Sequence, residues 1–207
     1  TGPNYSDLAR IVLERAKSAR DAVKIVSNLI KKYGESTYGG NSHIFADSNE
    51  AWVMIQFAGG AGLWAAERLG PNSIRASRPG YIENIPIKEK HNPNFLYSDN
   101  LIQFCKKKRW YSSGHFNVNK ILGDGKCRWK GVKWIEGEIK KLAQRPEKIE
   151  LHDVMWAIRT PKLTGDTAGY GQIVPLFNPS HDNLRMLWHS PIGAVASPFS
   201  PVFMGQT

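Results

Sequence analysis

Apolar residues recur at helical spacing from the first positions of the chain. Ser6 can cap a helix in which Leu8, Ile11 and Val12 share one face. Ser18-Ala-Arg-Asp21 reads as a second start, with the S-x-x-D spacing of a capping box. Val23, Val26 and Ile30 continue a buried stripe, and Gly34 suits a left-handed stop. The pattern predicts a helical hairpin, or one bent helix, over 6–33. The period then changes to two. His43 to Ala46 reads as a short strand entering the turn Asp47-Ser48-Asn49. Glu50 to Phe57 puts Trp52, Met54 and Gln56 on one face and Val53, Ile55 and Phe57 on the other. After Gly59-Gly60-Ala61-Gly62, further strands are expected over Leu63 to Arg68 and Ser73 to Ser77. This is an antiparallel meander, and apolar residues on both faces imply a sheet covered on both sides.

From Pro86 to Arg145 the pattern reads as a helical insertion, with helices over Ser98 to Trp110 and Trp129 to Leu142 and the loop SSGHFNVNKILGDGK between them. Glu150 to Ile158 predicts another short helix. Strands return at Ile173 to Phe177, Leu184 to Trp188 and Pro198 to Met204. The mixture predicts an α+β layered domain of antiparallel sheets, with 1–207 as one domain.

Composition changes this picture little. With 207 residues, 41% hydrophobic and 11% aromatic, the chain is long enough for a core and too apolar for disorder. No apolar run approaches the roughly 20 residues of a membrane span, so no membrane partner is expected. Cys105 and Cys127 are too few for a disulfide scaffold or a four-cysteine zinc site; one bridge or two free thiols remain open.

Charge matters more. Lysine and arginine total 28 against 18 acids, a net charge of +10. CKKKRW (105–110) and KCRWKGVKW (126–134) carry much of the excess, with tryptophans interleaved. Basic groups beside aromatic faces can hold nucleic acid. The alternatives are a solvated helix face with tryptophans turned inward, or a surface facing an acidic partner subunit. No nucleic-acid recognition motif accompanies the charge, so that partner is disfavoured.

Most chemical motifs are absent. Gly123-Asp-Gly-Lys126 lacks the preceding glycine of a phosphate loop, and no G-x-G-x-x-G, H-E-x-x-H or G-x-S-x-G occurs. No cofactor is expected. Six scattered histidines give no metal-ligand spacing, so no metal is expected either. A serine–histidine–acid triad assembles in space, and nothing singles one out.

One set of spaced elements goes further. Leu13 to Val23 (LERAKSARDAV), Gly40-Asn41, Ala46-Asp47, Glu50 to Val53 (EAWV), Trp64 to Arg68 and LRMLWHSPIGAVASPFSPVFMG stand in order along the chain. Together they resemble the secernin-type dipeptidases, members of the N-terminal-nucleophile hydrolases to which the penicillin acyltransferase-like enzymes also belong. None of these elements is catalytic by itself, and 85–145 matches little.

The resemblance implies a four-layer αββα sandwich completed by an upstream chain of the same precursor, acting on a small amide or peptide substrate in a higher oligomer. In that family a cysteine at the start of the first core strand is the nucleophile, and its α-amino group serves as base. That strand is not among these residues. Thr1 is then a nucleophile of related chemistry, a cut site made by processing, or a trimmed end. Asn41 and Ser42 become candidate donors near the site, with a turn role as the alternative. Ser77 aligns with a serine that the family follows with an oxyanion-site asparagine; here Arg78 follows. Arginine is larger and charged, so it suits a substrate carboxylate better than an oxyanion. His115, in a glycine-flanked loop, is a candidate general base or substrate contact. The activity expected is amide or peptide hydrolysis. A remodelled relative that binds or transforms another ligand is the second reading, and a basic nucleic-acid-binding module the third. Localisation stays open, with periplasmic or secreted favoured over cytoplasmic.

Overall fold

In the computed structural model, Asn4 begins the first helix, α1 (Tyr5–Arg15). The described residues are 2–36, 40–76, 82–89, 91–123, 130–162, 164, 169–176 and 179–205. They divide between two compact units, 1–129 and 130–207. Ser6, expected as the cap of α1, sits inside it. The Asn4 side chain accepts from the backbone of Ser6 and Asp7, and Asp7 reaches back to the N–H of Asn4. A complete capping box at Asn4 thus outcompetes a lone hydroxyl two residues on.

Residues 16–18 break the helical run, and α2 (Ala19–Tyr33) follows. It ends where Gly34 takes φ 71°, a conformation that favours glycine. Leu8 and Val12 of α1 and Ala19, Val23, Val26 and Ile30 of α2 are buried as one cluster.

The sheet beneath them contains β1 (Asn41–Ala46), β2 (Ala51–Gln56), β3 (Trp64–Leu69) and, after a two-residue β4 (Asn84–Ile85), β5 (Phe95–Tyr97). The order is β1-β2-β3-β5, all antiparallel. Phe45, Trp52, Met54, Ala66 and Leu96 face α1 and α2. Ile55, Ala65, Phe95 and Tyr97 face a second cluster. That cluster holds Leu101 and Cys105 of α3 (Leu101–Lys107), Phe116 of β6 (Phe116–Asn117), and Val118 of α4 (Val118–Leu122). The two-faced reading of β2 is therefore correct. The expected loop between helices contains both β6, which pairs with β4, and α4.

The strand expected at Ser73 to Ser77 does not form over its described part, 73–76. Instead β5 takes the edge of β3, because Phe95-Leu96-Tyr97 supplies apolar groups to both faces. Ser73 to Ala76 offers one large apolar residue, Ile74, and Arg75 ties back to Glu67 at 2.9 Å.

The second unit contains α5 (Lys130–Leu142), α6 (Leu151–Arg159), β7 (Tyr170–Ile173), a 3-10 turn (Asp182–Leu184), β8 (Met186–Pro191) and β9 (Ser200–Phe203). Its sheet runs β7-β8-β9, again antiparallel. The strands at Ile173 and Leu184 are displaced from expectation. Asp182 to Leu184 coil into the 3-10 turn, held by His181 Nδ1 accepting from Asn183 N–H. Gly171 is packed so closely that a Cβ would stand 2.8 Å from Ala194, so β7 can run only through a glycine there. Trp134 packs edge-on with Trp156 at 6.0 Å, and Lys162 lies 4.3 Å over the Trp134 ring. The architecture is α+β with antiparallel sheets in both units.

One carboxylate joins the layers of the first unit. Asp47 Oδ2 accepts from the N–H of Ala19 at 2.7 Å, and its Oδ1 accepts from Asn49 and Glu50. Glu50 accepts from the N–H of Arg20, and Ser18 from that of Asp21. The first three donors of α2 are thereby satisfied, two of them from the β1–β2 turn. Burial pushes the Asp47 carboxyl up, but these three backbone donors outweigh it and hold it below its ordinary value. The resulting stability is present above pH 3.8 and lost as pH falls through the lowered folded value. Replacing Asp47 with Ala is expected to cost about 1–2 kcal/mol in denaturant titrations of the complete protein at neutral pH. The gap from wild type should close progressively below pH 3.8. A pH-independent gap would refute the capping account.

Candidate active site

At the end of the hairpin opposite Asp47, β1 starts at Asn41 and faces the last residue of β2, Gln56. Gly40 lies against this edge: a Cβ there would stand 2.8 Å from the Gln56 carbonyl oxygen, so the glycine is a steric requirement. Register places Asn41 opposite Gln56, on the face turned toward α2. Ser42 pairs with Ile55 on the other face.

Gln56 is 1% exposed. Its Oε1 lies 3.4 Å from His43 Nε2, while its Nε2 has no partner among the described residues. His43 stacks on Phe45 with ring centroids 5.7 Å apart. Burial lowers the His43 pKa, against a smaller upward pull from Gln56. The imidazole is therefore held neutral. The sequence reading passed over this pair, and a histidine in a strand carries no signal beyond its alternation.

Two clefts flank the glycine-rich end. One, of ≈ 710 Å³, lies among α2, the β2–β3 turn and residues 98–100, with the Lys31–Asp99 pair at 3.3 Å among its walls. The other, of ≈ 460 Å³, is more apolar and is bordered by Gly40, Ile55 and Phe57.

Of the residues expected at the site, Thr1, Ser77 and Arg78 lie outside the described residues. A Cβ at Gly2, next to Thr1, would stand 2.7 Å from the backbone of Tyr33 and Gly34 at the end of α2. Asn41 and Ser42 are brought to the glycine-rich edge. His115 is exposed just before β6, in a loop closed by Tyr111 donating to the Gly114 carbonyl at 2.9 Å. Cys105 is buried and unbridged, and burial raises its pKa; Cys127 lies outside the described residues. Trp110 is not turned inward: it is 53% exposed, beside exposed Lys106 to Arg109. Among the described residues no group of three or more His, Cys, Asp or Glu could hold a metal, and no helix is long and apolar enough to cross a membrane.

A helix-covered antiparallel sheet thus carries a glycine-pinched strand entry beside an apolar cleft. The model of peptidase family C69 matches residues 1–130, nearly coincident with the first unit, and the chain belongs to that family. The curated relatives agree. A protein named probable dipeptidase B from Lactococcus lactis is 31% identical over 133 residues, 61% of this chain and 27% of the relative. A probable dipeptidase from Latilactobacillus sakei is 26% identical over 174 residues, 79% of this chain and 34% of the relative. One from Salmonella dublin is 28% identical over 123 residues, covering 58% and 27%. The chain thus spans about a third or less of the length of these relatives.

The His43 environment gives a pH prediction. With the folded pKa below 6.5, the unfolded chain binds more protons, so stability is full above pH 6.5 and declines as pH falls below it. Melting temperatures between pH 7.5 and 5.5 should fall less steeply in His43→Gln than in wild type. Equal slopes would mean that His43 is protonated as readily in the fold as outside it.

Proposed function

We infer that this chain forms part of a dipeptidase. Membership of peptidase family C69 across the first unit carries this reading. The finer architecture proposed is the four-layer αββα sandwich, with an upstream chain of the same precursor supplying the remaining strands and with higher oligomers formed from such units. Two observations support it. β1 is an edge strand of its sheet, and Ile44, on the face away from α2, is 53% exposed.

In this reading the substrate carbonyl lies at the Gly40–Ser42 edge. Asn41 donates from its amide to the developing oxyanion, and Ser42 contacts the substrate from the opposite face of β1. A preorganised amide donor is worth roughly a hundredfold or more in turnover. Thr1 is assigned either the nucleophile or the new end left by processing, and His115 a substrate contact at the rim. The complete protein, purified from its source and assayed on a dipeptide panel, should release free amino acids. Asn41→Ala should lower kcat by about a hundredfold with a smaller change in KM. No cleavage of any dipeptide would sink the proposal. An unchanged kcat in Asn41→Ala would remove Asn41 from the machinery while leaving the activity intact.

The second reading, a remodelled relative, rests on Arg78 standing where the family has asparagine. A guanidinium pairs with a carboxylate through two parallel bonds, which lysine cannot reproduce. If Arg78 selects an anionic group, Arg78→Lys should weaken turnover of acidic substrates, and Arg78→Asn should shift preference toward neutral amides. Three proteins with one substrate profile would make Arg78 scaffold.

A further inference from the structure

The ≈ 460 Å³ cleft lies within the range of small-molecule sites, about 300–1,000 Å³. Its apolar wall comes from Ile55, Phe57, Leu63, Phe104 and Leu122. All five belong to the cluster on the face of the sheet away from α1 and α2. At its border Trp110 packs edge-on against Phe104 at 5.8 Å. Lys108 is the one charged side chain among the lining residues, and its Nζ lies 5.8 Å from the Phe104 ring centre.

The chain reaches this arrangement through a left-handed residue. Arg109 has φ 60°, and the turn after α3 is held by Trp110 N–H donating to the Cys105 carbonyl at 2.9 Å. Lys108 and Trp110 thereby both line the cleft. Lys106, Lys107 and Arg109 remain exposed, and among the described residues no acidic side chain lines the cleft. An apolar pocket whose described lining carries charge only at Lys108 is complementary to one kind of small ligand: an apolar body carrying an anionic group at one end.

We propose that this cleft receives the apolar side chain of a peptide's C-terminal residue, with Lys108 pairing the adjacent α-carboxylate. The assignment rests on the dipeptidase reading, which supplies a ligand with a carboxylate next to a side chain. Gly40 also borders the cleft, so the bond to be cut falls beside the Gly40–Ser42 edge. Lys108 is here a specificity residue and has no part in bond breaking.

The test measures kcat/KM of the complete protein for alanyl-leucine, alanyl-leucinamide and alanyl-glycine. Wild type should prefer the free acid to the amide. Lys108→Met should lose roughly tenfold on the acid and little on the amide, Lys108→Arg should retain the preference, and Lys108→Glu should invert it. Trp110→Ala should narrow the preference for leucine over glycine. An acid-to-amide ratio unchanged across the Lys108 variants, with cleavage intact, overturns this assignment and leaves the dipeptidase reading standing. If the complete protein cleaves no dipeptide, the dipeptidase reading fails, and equilibrium dialysis tests the cleft alone. Retention of N-acetyl-leucine over N-acetyl-leucinamide by wild type, lost in Lys108→Met, supports an apolar-carboxylate site. Equal retention, no retention because another chain segment fills the cleft, or preferential retention of short single-stranded DNA stacked on Trp110 overturns it.

Discussion

The carboxylate of Asp47 is the constraint on which the first unit depends. It sits in the turn between β1 and β2, yet it caps a helix that begins 28 residues earlier. A helix start leaves backbone donors that must find partners, and burial against a sheet removes water as a source. Asp47 and Glu50 answer that need from the hairpin, so helix and sheet cannot slide past one another without stranding polar groups. Glu50 extends the network by pairing with Arg68 of β3 at 3.0 Å. Arg20, whose N–H Glu50 accepts, places its guanidinium 5.7 Å over buried Trp52. One turn therefore ties α2, β1, β2 and β3 together, and through them fixes which face of the sheet meets the helices.

That choice of face has a chemical consequence. Strand registry has a period of two, so once Trp52 and Met54 are committed to the helices, Ile55 must face the other way, and Ser42 with it. The second face is where β1 leaves Ile44 exposed and where the apolar cleft opens. Helices α1 and α2 pack one side, and α3, β6 and α4 cover the other beside the cleft. A slip of one residue would exchange the roles of Asn41 and Ser42 and put His43 on the wrong face.

Much of this was legible in the sequence where a residue's role is local. The stripe Val23-Val26-Ile30, the alternation through Glu50 to Phe57 and the stop at Gly34 each report on neighbours a few residues away, and each holds. The failures have one cause, competition from a better partner, local at Ser6 and distant in sequence at Ser73 to Ala76. Ser6 was a reasonable cap until Asn4 and Asp7 formed a reciprocal pair around it. Ser73 to Ala76 had strand-like residues, but β5 offered a better two-faced fit to β3. The family-like stretches LERAKSARDAV and ADSNEAWV were visible as patterns. Their meaning as the two halves of one hydrogen-bonded latch was not, because nothing in linear spacing says that Ala19 and Asp47 meet. Asn41 and Ser42 were singled out from the glycines before them, and they stand at the start of β1. Lys108 and Trp110 were read as part of a basic run, and only the turn at Arg109 shows them sharing a cleft.

The two ends of the β1–β2 hairpin also differ in how completely their polar groups are satisfied. Six residues of strand separate them, about 20 Å. At the Asp47 end both carboxylate oxygens accept backbone donors, and the turn closes on itself through Asp47 N–H to the Glu50 carbonyl. At the Gly40 end a buried amide nitrogen, Gln56 Nε2, has no partner among the described residues. An unsatisfied buried polar group costs about 1–3 kcal/mol, a large share of a domain's net stability. A fold can carry that cost only where the rest of the element is over-determined, which is what the latch at the other end supplies.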